Sequence, residues 1–195
     1  MLYPQLSSKR IILASKSPRR LELVRGLEIE PEVVIREVDE SYPASVKGAK
    51  VAEFVTLAKA QAFNDILTVD DVIITGDTVV LLGNDVLEKP KDRAEAITML
   101  KRLSGNTHIV ASGVAITTLQ EGTRCMVDTC EVEFCDLSDQ IIEHYVDHYK
   151  PFDKAGSYGV QDLIGYVGVK ALKGSFYTVM GLPVHLLHEM LSDLK

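Results

Sequence analysis

The absences in this sequence narrow its function first. There is no G-x-x-x-x-G-K-[ST] loop, no G-x-G-x-x-G turn, no G-x-S-x-G elbow and no H-E-x-x-H pair. That excludes a P-loop nucleotidase, a dinucleotide fingerprint, an α/β-hydrolase serine and a zincin helix. Positive charge is in short supply: 21 Lys and Arg stand against 28 Asp and Glu, for a formal net charge of −7. Broad duplex binding needs a basic face and is excluded, whereas a few converging cations can still hold an anion. Cysteine is scarce as well. Cys125, Cys130 and Cys135 are odd in number and contain no C-x-x-C pair, so a zinc ribbon is excluded. Spacing by five on a strand puts neighbours on opposite faces, and we expect reduced thiols of an intracellular protein. No long apolar run exists. The longest stretch free of Asp, Glu, Lys and Arg, residues 103–120, holds Ser, Asn, Thr, Gly, His and Gln and is no membrane span. The opening MLYPQLSSKR lacks an apolar h-region, so no secretory signal and a cytoplasmic location are expected.

What remains is an ordinary globular mixture, 46% hydrophobic and 25% charged over 195 residues, which suits a single domain over residues 1–195. A domain of this size buries roughly 70% of its unfolded surface. Residues 10–15 read as a short buried strand. Ser17-Pro18 reads as an N-cap and first helical position, with Gly26 as the stop. Residues 31–38 read as a strand, 48–67 as a helix and 72–75 as a strand, followed by a hairpin turning at Gly83-Asn84-Asp85. Asp92 and Glu95 have capping-box spacing for a helix ending near Leu103. Residues 107–118 and 124–135 are β-rich, Ser138 caps a helix ending before Pro151, and 152–165 is a Gly-rich loop. Strands are expected at 166–172 and 176–180, and a last helix from Pro183. Alternating elements at the start and hairpins in the middle predict α/β architecture with a mixed sheet.

Three segments can carry chemistry. In Ala14-Ser15-Lys16-Ser17-Pro18-Arg19-Arg20 a strand opens into a helix start, where unpaired N–H groups and the dipole favour an anion. Two hydroxyls and three cations surround the same spot, and arginine forks match phosphate oxygens. In Thr75-Gly76-Asp77-Thr78 a carboxylate is placed directly after a buried strand, with Glu88 and Lys89 following on the hairpin. In Asp153-Lys154-Ala155-Gly156-Ser157-Tyr158-Gly159-Val160-Gln161 small residues permit close backbone approach, and Asp, Lys and Gln supply ligands and a base-edge donor–acceptor pair. Asp39 and Glu40 follow the second strand, and Lys59 lies beside the apolar stripe of the 48–67 helix. His144 and His148, four apart on one helix, lack the glutamate of a metalloprotease motif and read as exposed; His185 and His188 read as packing or surface residues.

Together these segments resemble the Maf family of nucleoside triphosphate pyrophosphatases, also called septum formation inhibitor proteins. The matching pieces are LASKSPRR at 13–20, VDE at 38–40, AKAQA at 58–62, GDTVV at 76–80, LEKP at 87–90, LSGNTH at 103–108, DKAGSYGVQ at 153–161 and VMGLP at 179–183. The resemblance implies a curved mixed β-sheet in two lobes with a central cleft, as in inosine triphosphatase-like proteins, and a homodimer. It implies hydrolysis of a nucleoside triphosphate to the monophosphate and pyrophosphate with a divalent cation, Mg²⁺ first, Mn²⁺ or Co²⁺ as alternatives. Arg19, Thr78 and Gln161 match the branch acting on dTTP and UTP. The branch acting on 7-methyl-GTP tends to carry Trp, Gln and Glu there, and this chain has no Trp at all.

For a triphosphate hydrolysed with a divalent ion, which wants oxygen ligands, we expect Asp77 first as general base or metal-bound activator of the water and Glu40 as the second carboxylate, with Glu40 the alternative base. Ser15, Arg20, Lys59, Lys89 and Lys154 are expected to hold the phosphates, and the branch resemblance implies that Arg19, Thr78 and Gln161 read the base. Ser157 and Val160 depart from the family's frequent Ala and Ile without altering the site's charge. The substrate is expected to be a pyrimidine nucleoside triphosphate, not polymeric nucleic acid and not a membrane. Three other readings compete: a nucleotide-binding regulator of septum formation without turnover, a 7-methyl-GTP pyrophosphatase, and a metallohydrolase built on His144 and His148.

Overall fold

The computed structural model describes residues 2–194. They form seven strands in one open, mixed sheet: β1 (Arg10–Leu13), β2 (Glu32–Val33), β3 (Asp71–Leu82), β4 (Asp85–Leu87), β5 (Thr107–Thr118), β6 (Gly122–Phe134) and β7 (Val169–Lys173). The order is β2-β1-β3-β5-β6-β7, with β4 beside β3. β1 pairs in parallel with both β2 and β3, while β4 on β3 and β7 on β6 are antiparallel. The helices are α1 (Pro18–Arg25), α2 (Lys50–Gln61), α3 (Arg93–Leu103), α4 (Asp139–Tyr149), α5 (Leu163–Gly168), α6 (Phe176–Met180) and α7 (Val184–Ser192).

The chain divides into two compact units. Among the described residues the first takes in 2–77, Ser112–Asp128 and 181–194; the second is Thr78–Ala111 and Thr129–Met180. In the first unit Ile12, Ala14, Phe63 and Ile73 form a core cluster, closed by Val34, Ala62 and Leu67. Early and late segments meet there. The Tyr3 hydroxyl lies 2.8 Å from His188 Nδ1, and Gln5 Nε2 donates to the Leu191 carbonyl at 2.5 Å. In the second unit β3 and β4 turn through Gly83-Asn84, as the register Leu82↔Asp85 requires. Asp92 caps α3 by accepting from Glu95 N at 2.9 Å. Glu95 reaches back to the amide of Lys91 at 2.7 Å, so the reciprocal bond falls one residue before the cap.

Several local expectations need correction. The 31–38 strand is only two residues long, Glu32–Val33, an exposed edge on β1. The helix expected over 48–67 stops at Gln61. Gly26 ends α1 in right-handed geometry, and the left-handed residue is Glu28, φ 61°. The loop over 152–165 contains a helical turn at Ala155–Ser157 and the start of α5. Of the two late strands, the one expected over 166–172 forms as β7 over Val169–Lys173, its first residues belonging to α5, whereas the one expected over 176–180 is the helix Phe176–Met180. A lone apolar run of five or six residues fits either element, and packing decides. In α5, Gly165 lies against the Val160 carbonyl. An added Cβ would sit 1.6 Å from the Val160 carbonyl oxygen, so the backbone fills the space a side chain would need.

Candidate active site

The carboxylate expected after a strand lies within one. β3 runs from Asp71 through Asp77 to Leu82, and the period-2 alternation sends Thr75 and Asp77 to one face. Both meet α2. The Thr75 hydroxyl donates to the Thr56 carbonyl at 3.2 Å, and Lys59 Nζ donates to Asp77 Oδ1 at 2.7 Å. Thr56 and Lys59 are three apart, the spacing that puts both on one helical face. The Lys59 ammonium also lies 3.0 Å from Glu40 Oε1. Lys59 and Asp77 are each only 14% exposed, Glu40 49%. One cation is therefore clamped by two carboxylates in a half-dry setting, so that losing one carboxylate leaves the other as its counter-charge.

Gly76 turns the other way. A Cβ there would lie 2.9 Å from the Gly113 carbonyl oxygen and 3.6 Å from Arg20 Nε. Its absence lets the β3 backbone approach the Gly113 carbonyl, while Arg20 lies at ordinary contact distance. Arg20 Nε donates to the Gly181 carbonyl at 2.9 Å, and Nη1 donates to Ser15 Oγ at 3.4 Å. Burial pulls the guanidinium below its ordinary value; Asp77 opposes that, Arg19 adds to it and Glu40 again opposes it. The group stays charged. Ser17 caps α1 by accepting from Arg20 N at 3.4 Å, and its own amide donates to Ser15 Oγ at 3.2 Å. Ser15 Oγ thus accepts twice and still carries one hydroxyl proton to donate. The first unit brings Ser15, Arg20, Glu40, Lys59 and Asp77 into one linked set.

The second unit holds Thr78, half-buried on β3, and Lys89, exposed after β4. It also holds the 153–161 loop. Gly156 N donates to the Glu88 carbonyl at 3.2 Å, and the Ser157 hydroxyl reaches Met99 Sδ at 3.1 Å. Lys154 Nζ lies 2.9 Å from Asp153 Oδ1 and 3.8 Å from Asp162 Oδ2. Gln161 Oε1 is a buried acceptor with no hydrogen-bond partner among the described residues. Such an orphan costs about 1–3 kcal/mol unless something donates to it, which makes it a candidate ligand contact.

His108 was not singled out, although it closes the LSGNTH segment. Its ring is buried edge-on against Phe134 and Tyr158, with Nε2 2.7 Å from the Tyr158 hydroxyl. Burial lowers its pKa to about 4. The folded state therefore resists a proton that the unfolded chain accepts below its ordinary value near 6.5. The stabilisation is fully present above that value and is lost as pH falls toward 4. Linkage predicts a loss of about 2 kcal/mol between pH 7 and pH 5. Urea unfolding at the two pH values checks this, and His108→Gln should flatten the difference; an unflattened one would assign it elsewhere. Gly181 was also missed as an Arg20 brace, although VMGLP was among the matching pieces.

The remaining histidines lie at the surface or pack locally. His144 and His148 are exposed and stack on each other at 4.1 Å. No group of three or more His, Cys, Asp or Glu side chains able to hold a metal ion occurs among the described residues. His188 packs on Tyr3, and half-exposed His185 lies 3.8 Å from Asp128. All three cysteines are free thiols. Among the described residues no helix is long and apolar enough to cross a membrane.

The sheet order and helix placement define a fold class shared with the Staphylococcus aureus Ham1 protein. That structure covers 96% of this chain and 100% of its own at a TM-score of 0.58, with 15% identity. Within this class the sequence is decisive: the chain belongs to the Maf-like protein family, whose profile matches residues 10–194. It is 47% identical over 190 residues to the dTTP/UTP pyrophosphatase of Bacteroides thetaiotaomicron, covering 97% of this chain and 98% of that one. It is 45% identical over 191 residues to the protein of the same name from Porphyromonas gingivalis W83, covering 96% of each. The Flavobacterium psychrophilum relative of that name is 40% identical over 188 residues, again covering 96% of each.

Proposed function

We propose that this chain hydrolyses dTTP and UTP to the nucleoside monophosphate and pyrophosphate, its two units acting as one domain. The carrying observation is the Glu40–Lys59–Asp77 clamp, a cationic centre between two carboxylates linked to the Ser15–Arg20 anion site. The names of the relatives support the substrate class.

The donor chemistry fits a hard divalent ion. Glu40 and Asp77 supply carboxylate oxygens that already converge on one cation, and ions of the Mg²⁺ type use one or two carboxylates plus phosphate oxygens. When bound, such an ion neutralises charge on the triphosphate. Asp77 accepts the proton of the water that attacks the α-phosphorus. The bond from that phosphorus to its bridging oxygen breaks, and pyrophosphate departs with the electron pair. Ser15, Arg20, Lys59, Lys89 and Lys154 bind the phosphates, which needs no covalent step from the protein. Arg19, Thr78 and Gln161 read the base, and the orphaned Gln161 Oε1 is suited to an N–H of a pyrimidine edge. A homodimer on family resemblance, and a cytoplasmic location on the sequence's lack of a secretory pattern, complete the reading; light scattering of the purified protein at monomer mass would remove the dimer.

Pyrophosphate release from dTTP, UTP, CTP, 7-methyl-GTP and ITP with Mg²⁺ tests the function. Release chiefly from dTTP and UTP is expected. Release chiefly from 7-methyl-GTP would overturn the roles of Arg19, Thr78 and Gln161. Nucleotide-induced stabilisation without release would make the chain a regulator. Arg20→Ala should raise KM for UTP by about 10- to 100-fold, the worth of a charge-assisted hydrogen bond. Unchanged KM and turnover would remove Arg20 from the phosphate site.

A further inference from the structure

Tyr145 lies on α4, in the buried stripe Ile142, Tyr145 and Val146, with no exposed surface of its own. A phenol on an apolar stripe needs a polar partner, and this one has two. Its hydroxyl donates to Asp162 Oδ2 at 2.8 Å and accepts from the Gly159 amide at 3.1 Å. Gly159 and Asp162 are also joined directly, Asp162 N donating to the Gly159 carbonyl at 3.0 Å. One hydroxyl therefore ties both ends of the turn Gly159–Asp162. Gln161 is the third residue of that turn, and its amide nitrogen folds back over Gly159 beside the Asp162 carboxylate. The same carboxylate faces Lys154 Nζ at 3.8 Å. Burial and the neighbouring Asp162 push the Tyr145 hydroxyl far above its ordinary value, so it remains a neutral donor.

We propose that Tyr145 is a positioning residue for base recognition, fixing the Gln161 amide through Gly159 and Asp162. The inference rests on the reading of Gln161 as a base contact. Loss of the hydroxyl leaves the Gly159 amide and the Asp162 carboxylate each short of a partner in buried surroundings. The turn then relaxes, and the Gln161 amide is no longer held in one orientation. Nothing touching the substrate is removed, so the loss falls on discrimination.

The test is the ratio of kcat/KM for UTP to that for ITP in wild type, Gln161→Ala, Tyr145→Phe and the double variant. A ratio of two substrates is independent of the fraction of protein folded, so a merely structural role leaves it unmoved. Tyr145→Phe is expected to lower it about tenfold, through KM for UTP more than through kcat, and to add little in the Gln161→Ala background. If Tyr145→Phe does not fold, Asp162→Ala must lower the same ratio. A wild-type ratio in the Tyr145→Phe protein (or, failing that, in Asp162→Ala), beside an altered Gln161→Ala, overturns this inference alone. An unaltered ratio in Gln161→Ala, or a wild type without turnover, overturns the reading beneath it and this inference with it.

Discussion

Asp77→Asn is expected to lower pyrophosphate release from UTP by about 10²–10⁴-fold, the usual worth of a general base. Asparagine keeps the volume and one acceptor oxygen but cannot take up the water's proton or carry charge. The fold should survive. Lys59 keeps Glu40 at 3.0 Å as a partner, and Thr75 still joins β3 to α2 through the Thr56 carbonyl. Steady-state turnover and thermal unfolding, run side by side, separate the two effects. Turnover within tenfold of wild type would remove Asp77 from the chemistry and leave Glu40 as the carboxylate to examine.

The largest structural effect is expected from Gly165→Ala. Its methyl would lie 1.6 Å from the Val160 carbonyl oxygen and 2.5 Å from its carbon, both backbone atoms that no rotamer change can move. Overpacking usually costs about 1–3 kcal/mol, and a backbone clash of this depth belongs at or beyond the upper end. For a chain of this size that is a fall of about 10 °C in unfolding temperature. Val160 directly precedes Gln161, so selectivity for pyrimidines should fall as well. An unfolding temperature within about 2 °C of wild type would contradict the path of the backbone here.

Local rules carried most of the elements. Ser17 ahead of Pro18, Asp92 three residues before Glu95 and Gly83-Asn84 between two apolar runs each answer a backbone need within a few residues. Those features are legible without the fold. Phe176–Met180 is different: its composition suits a strand, and only its tertiary surroundings make it helical. Asp77 was legible as a residue but not as a position. VIIT looked like a complete strand because Gly76 interrupts the apolar run, yet Gly76 lets β3 continue beside the Gly113 carbonyl. The candidate residues stood out in short segments, and the family resemblance joined those segments into one site; their connections were in neither. That one ammonium bridges Glu40 and Asp77 depends on three segments meeting, and no spacing along the chain encodes it. Tyr145 escaped notice because an aromatic residue on an apolar stripe looks like core, and only its hydroxyl contacts say otherwise.

The division of the chain has a consequence for how the protein comes into being. The first unit is begun by the residues up to Asp77 and finished by those from Gly181 on, with the whole of the second unit made in between. A ribosome delivers Arg20 early and the carbonyl that braces it 161 positions later. Tyr3 waits still longer, 185 positions, for His188. Contacts of such long range pay their loop-closure entropy before they return anything. The unit that carries Asp77 therefore cannot mature as it emerges. Arg20 gains its Gly181 brace only after synthesis has passed that residue, so the buried guanidinium is among the last groups of the unit to be fixed in place.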